Sequence, residues 1–150
     1  MTDLEKMAIE HACAQLQIRF HICIDTFQHD KILDMFAPDG TWDQVLMGML
    51  RGHKDIKGYL DKKYTGPVTK HVNTNNAIDV IDENHAKGLC YYTYYHAEPG
   101  TPIPCPLNGP AAVGQYDDTF VRTPQGWKFA SRSPRNHFQV DFSKFSIVRK

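Results

Sequence analysis

The sequence has no excess of charge of either sign and no long apolar run. Its 17 Lys and Arg side chains balance 17 Asp and Glu side chains, so the formal net charge is zero. A neutral chain lacks the basic surface with which proteins bind nucleic acid and the polybasic segment that binds anionic lipid. No stretch approaches the about 18 consecutive apolar residues of a membrane span. We therefore expect neither a nucleic-acid partner nor a membrane partner.

The cysteines and histidines lack the spacing of metal or redox motifs. Cys13, Cys23, Cys90 and Cys105 form no C-x-x-C pair, which is the pattern of zinc knuckles and thioredoxin-type sites. The eight histidines are scattered along the chain, and none forms a closely spaced helical pair. The N-terminus has no basic start followed by an apolar run, which argues against a signal peptide. We expect a cytoplasmic protein with free thiols that needs no metal and no organic cofactor.

Apolar periodicity predicts helices in the first part of the chain. Apolar side chains recur every three or four residues over 4–27, which indicates a long amphipathic helix. Shorter helices are expected at about 30–36 and 52–64. Between them, Ala-Pro-Asp-Gly at 37–40 is typical of a turn, and 41–47 is expected to be a strand.

The second part of the chain is rich in β-branched and aromatic residues. Segments 68–81 and 86–96 are expected to form one hairpin, and 113–122 with 127–138 a second. The Pro- and Gly-rich segment 97–114 is interpreted as a loop over the mouth of the fold. Helices followed by strands predict an α+β fold, with helices on one face of a bent antiparallel sheet. The tail, 141–150, is expected to be either a last strand or an arm used in oligomer contact.

Five short segments, taken in order, resemble the SnoaL-like branch of the nuclear transport factor 2-like superfamily. They are Asp34-Met35-Phe36-Ala37-Pro38-Asp39-Gly40, Arg51-Gly52, His71-Val72-Asn73-Thr74-Asn75, Gly114-Gln115-Tyr116-Asp117-Asp118 and Gly126-Trp127-Lys128-Phe129. The chain is nearest to the scytalone dehydratase-like and hexachlorocyclohexane dehydrochlorinase-like members. The resemblance implies one domain over 1–150, with a core of about 5–138 and a tail of 139–150. It also implies a curved antiparallel or mixed sheet wrapped around a long N-terminal helix, with a cone-shaped pocket.

The resemblance implies catalytic roles for three residues. Asp25 and His71 match the Asp at the end of the first helix and the His on the first long strand of the dehydratase and dehydrochlorinase members. Arg132 matches an Arg that follows the Trp-Lys-Phe segment in the dehydrochlorinase-like members. Those members also have a Lys five residues before the Asp, where this chain has Phe20. This departure argues against a dehydrochlorinase, and it does not affect the match of Asp25 and His71.

A His–Asp pair is suited to general base catalysis. An imidazole titrates near neutral pH, and a carboxylate that accepts a hydrogen bond from one ring nitrogen leaves the other nitrogen free as a base. Expected donors to a leaving group are Arg132, the hydroxyls of Tyr92 and Tyr94, and His96. In the alternative interpretation, Asp25 is a solvated helix-end residue and His71 an ordinary surface histidine.

The predicted pocket is aromatic. Strand alternation sends Tyr92, Tyr94 and His96 to one face, and Tyr91 and Tyr95 to the other; core packing and an oligomer face are the alternative uses. Asp117 and Asp118 also alternate, so at most one can face the pocket. The predicted substrate-binding residues are Phe20, Trp42, Tyr92, Tyr94, His96 and Asp118, although for Trp42 core packing is the other interpretation.

The resulting hypothesis is a cofactor-independent lyase, a dehydratase or a related elimination enzyme, that acts on a small hydrophobic ring compound. A polyketide cyclase or isomerase, which would need Asp117 or Asp118 in the pocket, and a non-catalytic binding or assembly module are the alternatives. The resemblance also implies a homodimer or a homotrimer.

Overall fold

A long N-terminal helix packs against one face of a six-stranded sheet in the computed structural model, which describes residues 1–149. The helices are α1 (Asp3–Asp25), α2 (His29–Asp34) and α3 (Gly52–Leu60), and the strands are β1 (Phe36–Gln44), β2 (Gly48–Arg51), β3 (Val68–Val80), β4 (His85–Ala97), β5 (Ala112–Thr123) and β6 (Gly126–Gln139). The strand order is β2-β1-β6-β5-β4-β3. The pairing of β1 with β6 is parallel, and every other pairing is antiparallel. The predicted α+β class with a mixed sheet is confirmed.

Helix α1 begins at a capping box and ends where the site begins. The Thr2 hydroxyl accepts from the Glu5 N–H, and the Glu5 carboxylate accepts from the Thr2 N–H, which satisfies two of the free donors of the first turn. Phe20 and Ile24 lie on the buried face of the helix. The last helical residue is Asp25, so the packing of α1 on the sheet determines where this carboxylate lies.

The register of the two hairpins determines which side chains are neighbours. His71 on β3 lies opposite Tyr94 on β4. On the other side of β4, Tyr94 lies opposite Ala112 and Tyr92 opposite Gly114 on β5. A Cβ at Gly114 would lie 2.4 Å from the Arg135 carbonyl oxygen and 3.0 Å from the Tyr92 hydroxyl. These small residues on β5 leave room for the tyrosine side chains of β4.

The turn predicted at 37–40 is wrong, because these residues form part of β1. The parallel pairing of β1 with β6 is irregular between Phe36 and Thr41, and an irregularity of this kind accommodates a proline inside a sheet. At Gly40 a Cβ would lie 2.9 Å from the Phe129 carbonyl oxygen, so the close approach of the two strands requires glycine there. Strand β2 was not predicted, and α3 ends at Leu60 rather than near residue 64.

The tail lies across the fold and makes one short helical turn. Residues Phe142–Lys144 form a 3₁₀ helix, and Val148 forms a single β-bridge with Lys63. The Tyr64 N–H donates to the Ile147 carbonyl at 3.2 Å. The predicted last strand is therefore reduced to one bridge, and Lys150, which that prediction included, lies outside the described residues. No helix within residues 1–149 is long and apolar enough to cross a membrane.

Candidate functional site

A cavity of about 90 Å³ lies between α1, the inner face of the sheet and the tail. By the same measure one water molecule occupies about 10–15 Å³, so the cavity has room for several water molecules or a small ligand. The predicted pocket residues that line it are Phe20, Trp42, Tyr92, Tyr94 and His96. His71 also lines it, as do Phe142, Ser146 and Ile147 of the tail. The loop at 98–111 contributes no lining residue, so the tail rather than this loop covers the cavity.

Asp25 and His71 form a hydrogen-bonded pair at the wall of the cavity. His71 Nδ1 lies 2.7 Å from Asp25 Oδ1. The carboxylate accepts two more hydrogen bonds, from the His71 backbone N–H at 2.7 Å and from the Thr69 hydroxyl at 2.9 Å. The side chains of His71 and Asp25 are 14% and 6% exposed. A carboxylate held by three donors favours the tautomer in which His71 Nδ1 carries the proton, and this leaves Nε2 as an acceptor.

The His71 ring lies between two other aromatic rings. It stacks on Tyr94 with ring centres 4.5 Å apart and on His21 with ring centres 5.2 Å apart. His21 is buried, and its Nδ1 lies 3.1 Å from the Asn73 amide nitrogen. Burial, with help from the Arg132 and His71 charges, lowers the pKa of His21 well below its usual range. The neutral His21 ring therefore packs against one face of the His71 ring and restricts its rotation.

A second hydrogen-bonded chain runs from the cavity to the surface. The Tyr94 hydroxyl lies 2.7 Å from His96 Nδ1, and His96 Nε2 lies 2.9 Å from the Glu98 carboxylate. Burial lowers the pKa of His96, so the ring is neutral, with its proton on Nε2 towards Glu98. Its Nδ1 then accepts the Tyr94 O–H. The same Glu98 oxygen accepts from the Ser146 N–H at 2.9 Å, and Phe145 stacks on His96, which ties the tail to this chain.

Arg132 and Asp118 do not line the cavity. Arg132 Nη1 lies 3.2 Å from Asp118 Oδ2, and both side chains are fully buried. The guanidinium also lies over the Tyr116 ring, 3.8 Å from its centre, and over Phe20, 4.3 Å from its centre. Asp118 accepts a further hydrogen bond from the Gln17 amide. We expected Arg132 to assist the leaving group and Asp118 to contact the substrate. In this arrangement neither side chain reaches the cavity, because the two charges are paired with each other and buried against the rings of Tyr116 and Phe20.

Residues 5–133 match the family model of the SnoaL-like domain. The chain belongs to the SnoaL-like domain family. The predicted resemblance is thereby confirmed. Among curated proteins, this SnoaL-like chain is similar to the uncharacterised protein Rv2910c of Mycobacterium tuberculosis, with 29% identity over 129 residues that cover 83% of each chain.

Solved structures share the fold at low sequence identity. A putative scytalone dehydratase from Novosphingobium aromaticivorans superposes with a TM-score of 0.76 at 18% identity, covering 99% of this chain and 97% of that one. The hexachlorocyclohexane dehydrochlorinase LinA-type3 from Novosphingobium barchaimii superposes with a TM-score of 0.74 at 16% identity, covering 99% of this chain and all of that one. The superpositions establish a common fold, and at identities this low they establish the fold alone.

The site of this SnoaL-like chain includes residues that the sequence did not single out. Thr69 lies two positions before His71 on β3, and strand alternation places both on one face, so Thr69 could have been found. Lys63 lines the cavity from the turn after α3, and no local pattern indicates this. Within residues 1–149 no group of three or more His, Cys, Asp or Glu side chains is arranged to hold a metal ion.

Proposed function

We propose that this protein is a lyase that removes water or a related leaving group from a small hydrophobic ring compound, with His71 as the general base and Asp25 as its orienting partner. The observation that carries the proposal is the 2.7 Å contact between His71 Nδ1 and Asp25 Oδ1 at the wall of a cavity. General base catalysis of this kind contributes about 10²–10⁴-fold to a rate.

The proposed reaction needs no group beyond the chain and the substrate. His71 Nε2 takes a proton from a carbon atom, the electron pair of that C–H bond becomes the new double bond, and the leaving group departs from the adjacent carbon. When the leaving group is hydroxide, the imidazolium returns its proton to it and water leaves. The Asp25 carboxylate stabilises the imidazolium between the two steps.

The fold neighbours and the cavity support a lyase over the alternatives. Two neighbours are named a dehydratase and a dehydrochlorinase, and both names describe eliminations. A cyclase would need a second carboxylate in the pocket. Asp118 is fully buried in its pair with Arg132, and Asp117 forms an exposed pair with Arg135. A binding module would not require a base whose carboxylate partner accepts three hydrogen bonds.

The test is turnover of a set of β-hydroxy ring ketones, beginning with 3-hydroxycyclohexanone, followed by the absorbance of the conjugated enone product. We expect wild-type protein to form enone from at least one compound and His71→Gln to lose at least about 10²-fold of that rate. The matched control is His85→Gln, which alters an exposed histidine paired with Asp82. Equal rates for wild type and His71→Gln would overturn the proposal.

A further inference from the structure

Lys63 brings an ammonium group into the cavity from a fixed position. Its backbone N–H donates to the Leu60 carbonyl at 3.1 Å, and the residue forms the β-bridge with Val148 of the tail. The ammonium nitrogen lies 5.5 Å from the centre of the Tyr59 ring. Lys63 is thus held between the end of α3 and the tail, and its side chain lines the same cavity as His71.

The charge of Lys63 is not neutralised by a direct ion pair. Within residues 1–149, no carboxylate oxygen lies within 4.0 Å of its ammonium nitrogen. By contrast, Lys57 on the preceding helix lies 2.7 Å from Asp61. Burial lowers the pKa of Lys63 to about 8, and the more distant Asp25 carboxylate opposes this. At neutral pH the cavity therefore contains an ammonium that has lost part of its hydration and gains from an added anion.

Three hydroxyl groups at the cavity already have partners. The Thr69 hydroxyl donates to Asp25, the Tyr92 hydroxyl to Asn136, and the Tyr94 hydroxyl to His96. Arg132 forms a buried ion pair with Asp118 and does not line the cavity. Among the described residues that line the cavity, Lys63 is the one Lys or Arg side chain.

We propose that Lys63 binds the oxyanion of the substrate, and that the substrate is a ring compound with a carbonyl group next to the carbon that His71 deprotonates. This inference rests on the function proposed above. His71 Nε2 takes the proton, the electron pair of the broken C–H bond moves to the carbonyl oxygen, and the enolate oxygen is held by the Lys63 ammonium. The same pair then returns to carbon and expels hydroxide from the adjacent carbon, which leaves with the proton from His71 as water. An electrostatic partner for charge that develops during the reaction is the kind of contact that raises a rate.

The probe for this site is 4-nitrophenol, a one-ring compound whose ionised and neutral forms differ in absorbance. Wild-type protein is expected to bind the ionised form preferentially, so that bound nitrophenol ionises at a lower pH than free nitrophenol. Lys63→Met is expected to lose this shift and to bind the ionised form about tenfold more weakly or worse, as for a lost hydrogen bond to a charged group. Lys63→Arg should keep the preference, which separates the charge from the packing of the stem.

Lys62→Met is the matched control, because it removes a neighbouring exposed lysine of the same turn and should leave nitrophenol binding unchanged. The proposal is overturned if wild type shows no preference for the ionised form, or if Lys63→Met binds it as wild type does. His71→Gln should bind nitrophenolate normally and lose turnover. An active His71→Gln that still binds nitrophenolate would refute the assignment of His71 as the base and leave the Lys63 site standing.

Discussion

The imidazole of His71 and the phenol ring of Tyr94 are stacked, with ring centres 4.5 Å apart and planes 24° apart. They occupy directly opposed positions on β3 and β4, so the sheet itself holds the two rings together. The stack restricts the His71 ring at one face, while Asp25 fixes it at Nδ1. The orientation of Nε2 therefore depends on packing as well as on a hydrogen bond.

Removing the ring of Tyr94 should disturb this orientation more than removing its hydroxyl. We expect Tyr94→Phe to retain most of the activity, and Tyr94→Leu to lose roughly 2–10-fold, since aromatic pairs are worth about 0.5–1.5 kcal/mol beyond area burial. Steady-state kcat of both variants with the same substrate checks this. A Tyr94→Phe variant as impaired as Tyr94→Leu would mean that the hydroxyl, rather than the stack, is what matters.

Asp25→Asn should impair catalysis while keeping the size of the side chain. An amide offers one acceptor oxygen in place of the two that now accept from Thr69 and from both the backbone and the ring of His71. We expect turnover to fall by about 10²–10⁴-fold, because the His71 tautomer is no longer fixed and the imidazolium is no longer stabilised. Turnover should be compared with Asp82→Asn, which alters an exposed carboxylate paired with His85. Retention of wild-type activity by Asp25→Asn would remove Asp25 from the mechanism.

The buried pair of Arg132 and Asp118 predicts a large effect on stability. Asp118→Asn or Arg132→Met leaves one buried charge without its partner, which costs about 3–5 kcal/mol of unfolding free energy. The double variant Asp118→Leu/Arg132→Met should be less destabilised than the sum of the single changes. Urea denaturation of the single and double variants provides the comparison. Additive losses would show that the two charges are not coupled in the folded protein.

The affinity for an oxyanion should fall as the pH rises through about 8. Burial lowers the pKa of Lys63 to about 8, and only the protonated form attracts an anion. The affinity is therefore highest below this pH and is lost above it. The groups around the ammonium are Asp25, His29, Tyr59 and His96; burial lowers the pKa of both histidines and raises that of Tyr59. Nitrophenolate titrations from about pH 7 to about pH 9.5 test this. Lys63→Arg should abolish the decrease, and an unchanged decrease in that variant would assign it to another group.

Much of the fold could be predicted from periodicity and turn chemistry. The long helix and both hairpins are local patterns, so their positions followed from the sequence. The segment at 37–40 was predicted wrongly because Pro38 and Gly40 favour a turn locally, whereas the pairing with β6 places them in an irregular strand. The tail was also beyond prediction, since its position depends on contacts with Lys62, Lys63 and Tyr64 from a distant part of the chain.

The prediction of the site failed for a similar reason, which is the register between β5 and β6. Counting back from the turn, a regular β5–β6 hairpin would place Asp118 opposite Ser131. A one-residue irregularity between Thr119 and Phe120 instead places it opposite Arg132, which produces the buried pair. No local pattern in the sequence indicates this irregularity. Arg132 was expected at the pocket from its match to a family position, and Asp118 from strand alternation, and neither argument could anticipate the buried pair. Asp25 and His71 were identified by their match to family positions, and their catalytic roles stay predictions.

The most direct test of the account is proton exchange at carbon. Proton NMR in D₂O would follow the loss of the C2–H signal of 3-hydroxycyclohexanone and of related ring ketones, since a base that removes this proton exchanges it even when elimination is slow. The account predicts exchange with wild-type protein that is at least about 10²-fold faster than with His71→Gln, and unchanged exchange in His85→Gln. Exchange at the same rate in wild type and His71→Gln would contradict the assignment of His71 as the base.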